Sequence, residues 1–278
     1  PQKKKILLFD DNLEFFLNRC IPKSKYSVLF SRNKNYNLLL ILKLLCKFKF
    51  SYLNYFNEYI KYVDPKILLT FSDNYPIFYK LKVPKKTKKI FAQAAYRTAT
   101  QEDVFFNLKK LKKIKKINKV DEMLVFNRKI GEKYQQFING NFRVIGSIKS
   151  NTFKIDLKKK KFDILYISSW RDRPLDWKLT DSIYWKKILA TEQKLLEHIK
   201  KYAEINQRKV TVYGKYKSNK ERDYFKNIFN GTNWTFLKND RLKSYQICDK
   251  SKLIISTVST LGYEALARGL KVIVFNSL

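Results

Sequence analysis

Histidine and cysteine are scarce in this sequence, and each scarcity excludes a class of protein. His198 is the single histidine among 278 residues, which excludes any mechanism that needs two histidines. The three cysteines, Cys20, Cys46 and Cys248, are far apart and odd in number, so they predict neither a metal site nor a disulfide framework. Such cysteine usage is typical of a reducing compartment, and we expect a cytoplasmic protein.

Acidic residues are also few. The sequence has 24 Asp+Glu against 59 Lys+Arg, a formal net charge of +35. A positive field of this strength attracts polyanions, which include nucleic acid, anionic lipid headgroups and phosphorylated substrates. Lysine far outnumbers arginine, and Asn, Ile, Phe and Tyr are also abundant. Because these residues share A/T-rich codons, base composition of the gene explains the charge equally well.

Long hydrophobic runs are absent from the sequence. Its most apolar stretch, Asn37–Phe48, is interrupted by Lys43 and Lys47 and is shorter than the roughly 20 apolar residues that span a bilayer. We expect a buried helix there, with a peripheral membrane helix as the alternative. The N-terminal residues carry no signal-peptide cleavage site.

Short apolar runs alternate with amphipathic segments along the chain. In the first half, strands are predicted at Lys5–Phe9, Tyr26–Phe30, Ile67–Phe71, Ile90–Gln93, Met123–Phe126 and Arg143–Ile145. In the second half, strands are predicted at Phe162–Ile167, Val210–Tyr213, Trp234–Phe236, Leu253–Ile255 and Lys271–Phe275. Helical segments separate them, and this alternation is typical of parallel sheets covered by helices.

The polar segment between these two halves contains four consecutive lysines and is typical of a linker. The sequence therefore predicts an α/β fold with two Rossmann-like doubly wound domains that face each other across a cleft. The predicted boundaries are 1–150 for the first domain, 151–161 for the linker and 162–278 for the second. A further basic run, Leu108–Lys119, has apolar residues at every third position, which favours a solvated loop or helix over a membrane anchor.

The segment Ser256–Asn276 (STVSTLGYEALARGLKVIVFN) carries the strongest chemical signal. A buried strand ends there, and Ser259 and Thr260 stand at the start of a helix, where backbone N–H groups and the helix dipole bind phosphate. Gly262 allows close approach, and Glu264, one turn further, suits the hydroxyls of a ribose. The alternative is a simple capping box, although the spacing from Thr260 to Glu264 differs from that motif by one residue.

This segment resembles the donor-binding motif of GT-B glycosyltransferases, in particular the bacterial enzymes of O-antigen and capsule synthesis. ILYISSWRD and VTVYGK resemble the first two strands and loops of the same domain, and LLTFSDN, FAQAAYR and VIGSIKSN resemble landmarks of the N-terminal domain. The resemblance touches most of the chain. It implies that a sugar is transferred from a nucleotide-sugar to a hydroxyl of a surface glycan or lipid-linked acceptor.

The resemblance assigns a role in donor binding to each residue of the matching motif. Ser259, Thr260 and the amides near Leu261 and Gly262 would hold the donor phosphates, and Glu264 would hold the ribose. No metal or other cofactor is expected, because helix dipole and basic residues can neutralise the leaving phosphate.

Residues from two neighbouring loops complete the implied donor site. Gly214 and Lys215 would flank the nucleotide, with Lys215 as a charge partner for phosphate. Ser169 and Arg171 would approach the phosphate or the sugar. For Arg171 a solvated basic loop is an equally good interpretation.

On the acceptor side, Asp73 is the leading candidate for the general base that deprotonates the attacking hydroxyl. A helix N-cap is an equally good interpretation of Asp73, and Asp10 and Asp11 are the competing carboxylates. Gln93 and Arg97 would orient the acceptor or the donor.

Two other functions remain open at the level of sequence. The net charge and 15% aromatic content favour a nucleic-acid-binding protein, although no zinc spacing or RNA-binding motif accompanies them. A nucleotide-sugar epimerase on the same fold would share the donor site. We further expect peripheral contact with an anionic membrane at its cytoplasmic face. Because GT-B domains normally continue beyond the strand Lys271–Phe275, we expect the second domain to be incomplete.

Overall fold

A computed structural model of the chain describes residues 2–32, 36–48, 51–97, 105, 118–157, 160–170, 179–216, 219–240, 242–257 and 259–275, with backbone alone for 179–189. The chain divides into two compact units, unit 1 (Pro1–Thr152) and unit 2 (Phe153–Leu278). Most of the segment predicted to be a linker thus belongs to unit 2. The basic run Leu108–Lys119 lies almost entirely outside the described residues.

Unit 1 contains a six-stranded parallel sheet of strand order β2-β1-β3-β4-β5-β6. Its strands are β1 Ile6–Phe9, β2 Tyr26–Leu29, β3 Ile67–Thr70, β4 Lys88–Ala92, β5 Lys119–Val125 and β6 Asn139–Val144. Its described helices are α1 Glu14–Leu17, α2 Leu38–Leu45, α3 Tyr52–Val63, α4 Ile77–Lys80, α5 Arg128–Gln135 and α6 Ile148–Asn151.

Unit 2 contains a five-stranded parallel sheet of strand order β11-β10-β7-β8-β9. Its strands are β7 Phe162–Ile167, β8 Val210–Tyr213, β9 Trp234–Leu237, β10 Ser251–Ser256 and β11 Val272–Val274. Its described helices are α7 Leu179–Ile205, α8 Asn219–Ile228, α9 Ser244–Asp249 and α10 Thr260–Ala267.

Both sheets are covered by apolar packing on both faces. Successive residues of a strand point to opposite faces, so burial of neighbouring residues shows that both faces are covered. Leu7 and Phe9 of β1 belong to one hydrophobic cluster, whereas Leu8 belongs to another. In β7, Tyr166 and Ile167 are likewise divided between two clusters. This arrangement explains why these strands read as continuous apolar runs, and it confirms the predicted α/β class with two doubly wound parallel sheets.

Each sheet has one switch point, which is the pair of adjacent strands whose connections to the following strands lead in opposite directions along the sheet. In unit 1 this place lies between β1 and β3, and in unit 2 it lies between β7 and β10. Ligands of open α/β sheets bind outside the carboxyl ends of the strands at such a switch point. The fold therefore directs attention to two loop clusters, one in each unit.

The apolar stretch that sequence reasoning placed in a helix forms α2 and the turn after it. Asn37 caps this helix, because its side chain accepts a hydrogen bond from the backbone N–H of Leu40. Leu40 and Leu44 are buried in the core of unit 1. Within the described part of the chain, every helix is too short or too polar to cross a membrane.

Candidate functional site

A chain of hydrogen bonds links the two strands at the switch point of unit 2. Thr257 follows β10, and its hydroxyl donates a hydrogen bond of 2.9 Å to Oγ of Ser169, which follows β7. Ser169 in turn donates a hydrogen bond of 2.7 Å to Oε1 of Glu192 on α7. The two loops are thereby fixed to each other and to the long helix behind them.

Glu192 is buried below this contact and also accepts a hydrogen bond from the phenol of Tyr166. Burial raises the pKa of this carboxyl, although the hydrogen bonds from Tyr166 and Ser169 oppose the rise. Sequence reasoning missed Glu192, because it lies in the middle of an amphipathic helix and its partners come from a strand and a loop more than 20 residues away.

Glu221 holds the second loop of unit 2 in place. Its carboxylate is completely buried and accepts hydrogen bonds from the hydroxyl of Ser168 (2.6 Å) and the backbone N–H groups of Lys215 and Tyr216 (2.8 Å each). An acidic residue in the first turn of a helix commonly reaches back to backbone donors. The position of Glu221 in the first turn of α8 was the signal that could have identified it.

Gly214, which precedes these amides, is required by packing. A Cβ atom at this position would lie 2.5 Å from the ring of Phe236 and 3.2 Å from Oε2 of Glu221. The ammonium of the following Lys215 lies 5.5 Å from the ring centre of Tyr216. The predicted roles of Gly214 and Lys215 beside a nucleotide stay predictions.

The first turn of α10 begins beside the loop after β10. Ser259 is its N-cap, and Oγ of Ser259 accepts a hydrogen bond of 3.3 Å from the backbone N–H of Leu261. Thr260 and Leu261 are half-buried. The space next to Gly262 is occupied by Ser256, since a Cβ on the glycine would lie 2.6 Å from Cβ and Oγ of that serine. Contact between helix and strand is sufficient to explain this glycine. The predicted role of Gly262 beside the donor phosphates stays a prediction.

Glu264 lies on the buried side of α10. Its Oε2 accepts a hydrogen bond of 2.9 Å from the phenol of Tyr245 on α9, a partner that sequence reasoning did not identify. Arg171 belongs to the segment outside the described residues. The assignment of Glu264 to a ribose and of Arg171 to the phosphate or the sugar therefore stays a prediction.

In unit 1 the switch point is occupied by Asp10. This residue follows β1 with a φ of 78°, and its Oδ2 accepts hydrogen bonds from Ser72 after β3 (3.2 Å) and from Arg32 (2.8 Å). Burial raises the pKa of Asp10, and a hydrogen bond with Asp11 adds to the rise, whereas Arg32 opposes it. Asp11 itself is exposed.

Asp73, the leading candidate from sequence, is a second buried carboxylate of unit 1. It has no exposed surface, and its two carboxylate oxygens are engaged by the guanidinium of Arg97, with Nε to Oδ2 at 2.8 Å, and by the phenol of Tyr134. A carboxylate that is enclosed and ion-paired in this way is poorly placed to accept a proton from an acceptor hydroxyl. Asp10 is also buried and ion-paired, but its partner Arg32 is half exposed, whereas the side chain of Arg97 is only 15% exposed. The assignment of the general base to Asp73, with Asp10 and Asp11 as alternatives, stays a prediction.

Gln93 is buried at the end of β4 and joins two backbone segments. Its amide donates to the carbonyl of Ala95 (2.8 Å) and accepts from the N–H of Phe126 (2.9 Å). Its geometry is that of a structural bridge. The roles of Gln93 and Arg97 towards an acceptor stay predictions.

Among the residues with described side chains, no three or more His, Cys, Asp or Glu residues are grouped in a way that could hold a metal ion.

Residues 90–277 match a protein family described as "putative O-antigen biosynthesis protein". Comparison with curated protein sequences gives no match.

Solved structures share the fold at low sequence identity. S. aureus MnaA, solved with UDP, has a TM-score of 0.56 and 13% identity over 98% of this chain and 78% of its own. A Listeria monocytogenes protein described as "putative UDP-N-acetylglucosamine 2-epimerase" has a TM-score of 0.57 and 13% identity over 99% of this chain and 79% of its own. A variant of S. aureus TarM, solved with fondaparinux, alpha-GlcNAc-glycerol and UDP, has a TM-score of 0.49 and 17% identity over 81% of this chain. The present chain spans 45% of the length of that TarM chain.

Proposed function

Because the chain belongs to this family of O-antigen biosynthesis proteins, we propose that it is a glycosyltransferase that uses a nucleotide-sugar donor. The sugar would be transferred to a hydroxyl of a surface glycan or of a lipid-linked acceptor. Its two parallel sheets with a switch point in each supply the architecture that such enzymes use.

The contact between Thr257 and Ser169 is the observation that carries the proposal. It brings the loops after β10 and β7 together at the switch point, beside the first turn of α10. A helix N-terminus stabilises negative charge, so the first turn with Ser259 and Thr260 is suited to the donor diphosphate. Lys215, one strand further along the sheet, would add a positive charge.

The base that activates the acceptor is assigned to Asp10. Its bonds from Ser72 and Arg32 both reach Oδ2, and a hydrogen bond also joins its carboxyl to Asp11, so an acceptor hydroxyl would have to replace one of these partners. A raised pKa brings a carboxylate closer to the range in which general bases operate. Arg32 is half exposed and covers this site, so we expect it to move when an acceptor binds.

The test is thermal stabilisation of the protein by UDP, GDP, CMP and ADP. UDP comes first in this panel because S. aureus MnaA, which shares the fold, was solved with it. A ligand at about 100 times its Kd raises the free energy of unfolding by about 2.7 kcal/mol. We expect one nucleotide to stabilise the chain, and we expect Thr260→Val to reduce that effect. Thr232→Val, at an exposed site that bonds Glu204, is the matched control.

Absence of stabilisation by every nucleotide at millimolar concentration would contradict the proposed donor site. So would stabilisation that Thr260→Val and Thr232→Val leave equally intact. With the stabilising base known, release of the nucleotide from its sugar conjugate is then measured with and without an acceptor glycan. Transferase activity requires that the acceptor accelerate this release.

The second candidate is a nucleotide-sugar 2-epimerase, favoured by the shared fold with the Listeria protein over nearly the whole chain. It would bind the same donor and need no acceptor. Incubation with UDP-GlcNAc alone, followed by NMR of the anomeric protons, separates the two functions. An epimer formed without acceptor would favour this second candidate.

A further inference from the structure

Helix α2 exposes leucines where a helix of a soluble domain normally carries polar side chains. Leu40 and Leu44 face the core, whereas the opposite side of the helix presents Leu38, Leu39, Leu42 and Leu45. Leu39 is 76% exposed, and Phe48, just after the helix, is 87% exposed. Apolar side chains of this exposure cost free energy in water unless they are covered.

The apolar surface continues onto the start of α3. Tyr52 is exposed there, and its ring centre lies 6.3 Å from that of Tyr36, which precedes α2. We call the set consisting of Leu38, Leu39, Leu42, Leu45, Phe48 and Tyr52 the α2 surface. Aromatic side chains with a polar end are frequent where one side of a surface is apolar and the other is wet.

All charged residues in the sequence segment that contains α2 are basic. From Phe15 to Asn57 there is no Asp or Glu, whereas eight residues are cationic: Arg19, Lys23, Lys25, Arg32, Lys34, Lys43, Lys47 and Lys49. Lys43 and Lys47 are about half exposed and share one carboxylate, that of Glu58, at 2.9 and 3.7 Å. The rim of the α2 surface therefore retains positive charge.

We propose that the α2 surface docks unit 1 onto an anionic lipid bilayer, with the helix in the plane of the interface. An amphipathic helix with an apolar outer face and a lysine-rich rim binds membranes by burying apolar area and by attraction to anionic headgroups. The exposed leucines supply the apolar area, and the basic residues between Phe15 and Asn57 supply the attraction to anionic headgroups.

Two other occupants fit these observations less well. A second copy of the chain would bring two basic segments of the same sign together across a two-fold interface, which electrostatic repulsion opposes. Nucleic acid would match the charge, but its phosphate backbone offers nothing to cover the leucines. A bilayer with anionic headgroups matches both properties at once.

The inference does not depend on the proposed sugar transfer, and its test is vesicle flotation of the full chain. Vesicles of phosphatidylcholine alone are compared with an equimolar mixture of phosphatidylcholine and phosphatidylglycerol. We expect binding to the anionic vesicles only. Raising NaCl from about 0.05 M to about 0.5 M should weaken the binding, because the Debye length shortens to a few ångströms.

The double variant Leu39→Ser/Leu42→Ser removes apolar area without touching the core, and we expect it to lower the partition coefficient at least about tenfold. Ile205→Ser, at a comparably exposed site at the end of α7, is the matched control and should bind normally. Circular dichroism verifies that both variants remain folded.

Equal binding of the double variant and the unmodified chain, or no binding to anionic vesicles at low salt, would overturn the inference. Sedimentation velocity provides a further check, since a dimer that the double variant dissociates would assign the surface to self-association instead. Neither result affects nucleotide stabilisation, which tests the donor site separately.

Discussion

Gly262 and Ser256 are in direct contact where α10 crosses the end of β10. A Cβ atom on Gly262 would lie 2.6 Å from Cβ and Oγ of Ser256, closer than side chains approach in practice. The serine hydroxyl can rotate away, but its Cβ is fixed to the strand. The first turn of the helix therefore keeps its place beside the switch point of unit 2 only if residue 262 has no side chain.

Gly262→Ala should destabilise the protein. Helix propensity alone would favour alanine by about 1 kcal/mol. Overpacking costs typically about 1–3 kcal/mol, so we expect a net loss of stability in denaturant unfolding. Adding Ser256→Gly removes the opposing Cβ and should restore part of the loss.

Leu266→Ala, at an exposed site of the same helix, is the control and should change stability by less than about 0.5 kcal/mol. Additive effects of the two glycine-site changes would contradict the contact.

Arg268 forms a buried ion pair with Asp249 that fixes the start of unit 2. Its guanidinium donates to both carboxylate oxygens, at 2.9 and 2.6 Å, and to the carbonyls of Phe153 and Lys154. Arg268→Met leaves a buried carboxylate unpaired, and we expect a loss of about 3–5 kcal/mol in the free energy of unfolding. The stability of Arg268→Lys should lie between that of the unmodified chain and that of Arg268→Met, because lysine keeps the charge but lacks the planar guanidinium.

The control for this prediction is the exposed pair of Arg128 and Glu132, one turn apart on α5. Arg128→Met should cost no more than about 0.5 kcal/mol, as is usual for such pairs. Similar losses at the two positions would show that burial of the Arg268 pair is without consequence.

Lys89 should make stability depend on alkaline pH. Its Nζ is buried and donates to the carbonyls of Tyr79 (2.9 Å) and Leu81 (3.0 Å). Burial lowers the pKa of Lys89 from 10.5 to about 8, with Asp121 opposing the shift. Between these two values the unfolded chain binds more protons than the folded one, so this lysine makes stability rise with pH. The rise attributable to it between about pH 7.5 and pH 9.5 is about 2 kcal/mol.

The measurement is denaturant unfolding at both pH values for the unmodified chain and for Lys89→Met, which cannot titrate. We expect the stability difference between the two proteins to change in favour of the unmodified chain as pH rises. Lys88→Met, at the adjacent exposed position, should leave the pH dependence unchanged. Parallel profiles for the unmodified chain and Lys89→Met would refute the prediction.

The two aspartates of unit 1 should respond differently to conversion into asparagine. Asp73→Asn removes the charge of a fully buried carboxylate that pairs with the partly buried Arg97, and it should cost about 3–5 kcal/mol of stability. Asn tolerates the positive φ of Asp10, and the partner Arg32 is half exposed, so Asp10→Asn should cost at most about 1 kcal/mol.

Activity distinguishes the same two variants. If Asp10 is the base, Asp10→Asn should lower the rate of sugar transfer about 100-fold or more while the protein stays folded and binds nucleotide normally. Transfer at the unmodified rate by Asp10→Asn would exclude this assignment.

Sequence reasoning located β1 and β7 well and the beginnings of β5 and β6 less well. β1 and β7 are buried on both faces, so their apolar runs Ile6–Phe9 and Phe162–Ile167 mark them within a residue. β5 begins four residues earlier than predicted, and β6 spans Asn139–Val144 instead of Arg143–Ile145. Most of the missed positions, such as Lys119, Glu122 and Asn141, are polar, and pairing between the two strands, which no local pattern reveals, holds them in the sheet.

The amino-acid sequence alone determined the parallel α/β architecture, the carboxyl ends of the strands and the position of Ser259 at a helix start. Burial and capping, which decide these features, act over a few neighbouring residues. Only the tertiary structure decided which polar groups meet. Glu192 and Glu221 reach the loops after β7 and β8 from helices 23 or more residues away from their serine partners. Asp73 became one half of a buried ion pair because the fold placed Arg97 beside it. Such contacts depend on how helices pack on a finished sheet, and therefore the identity of a strand-end residue does not by itself fix its role.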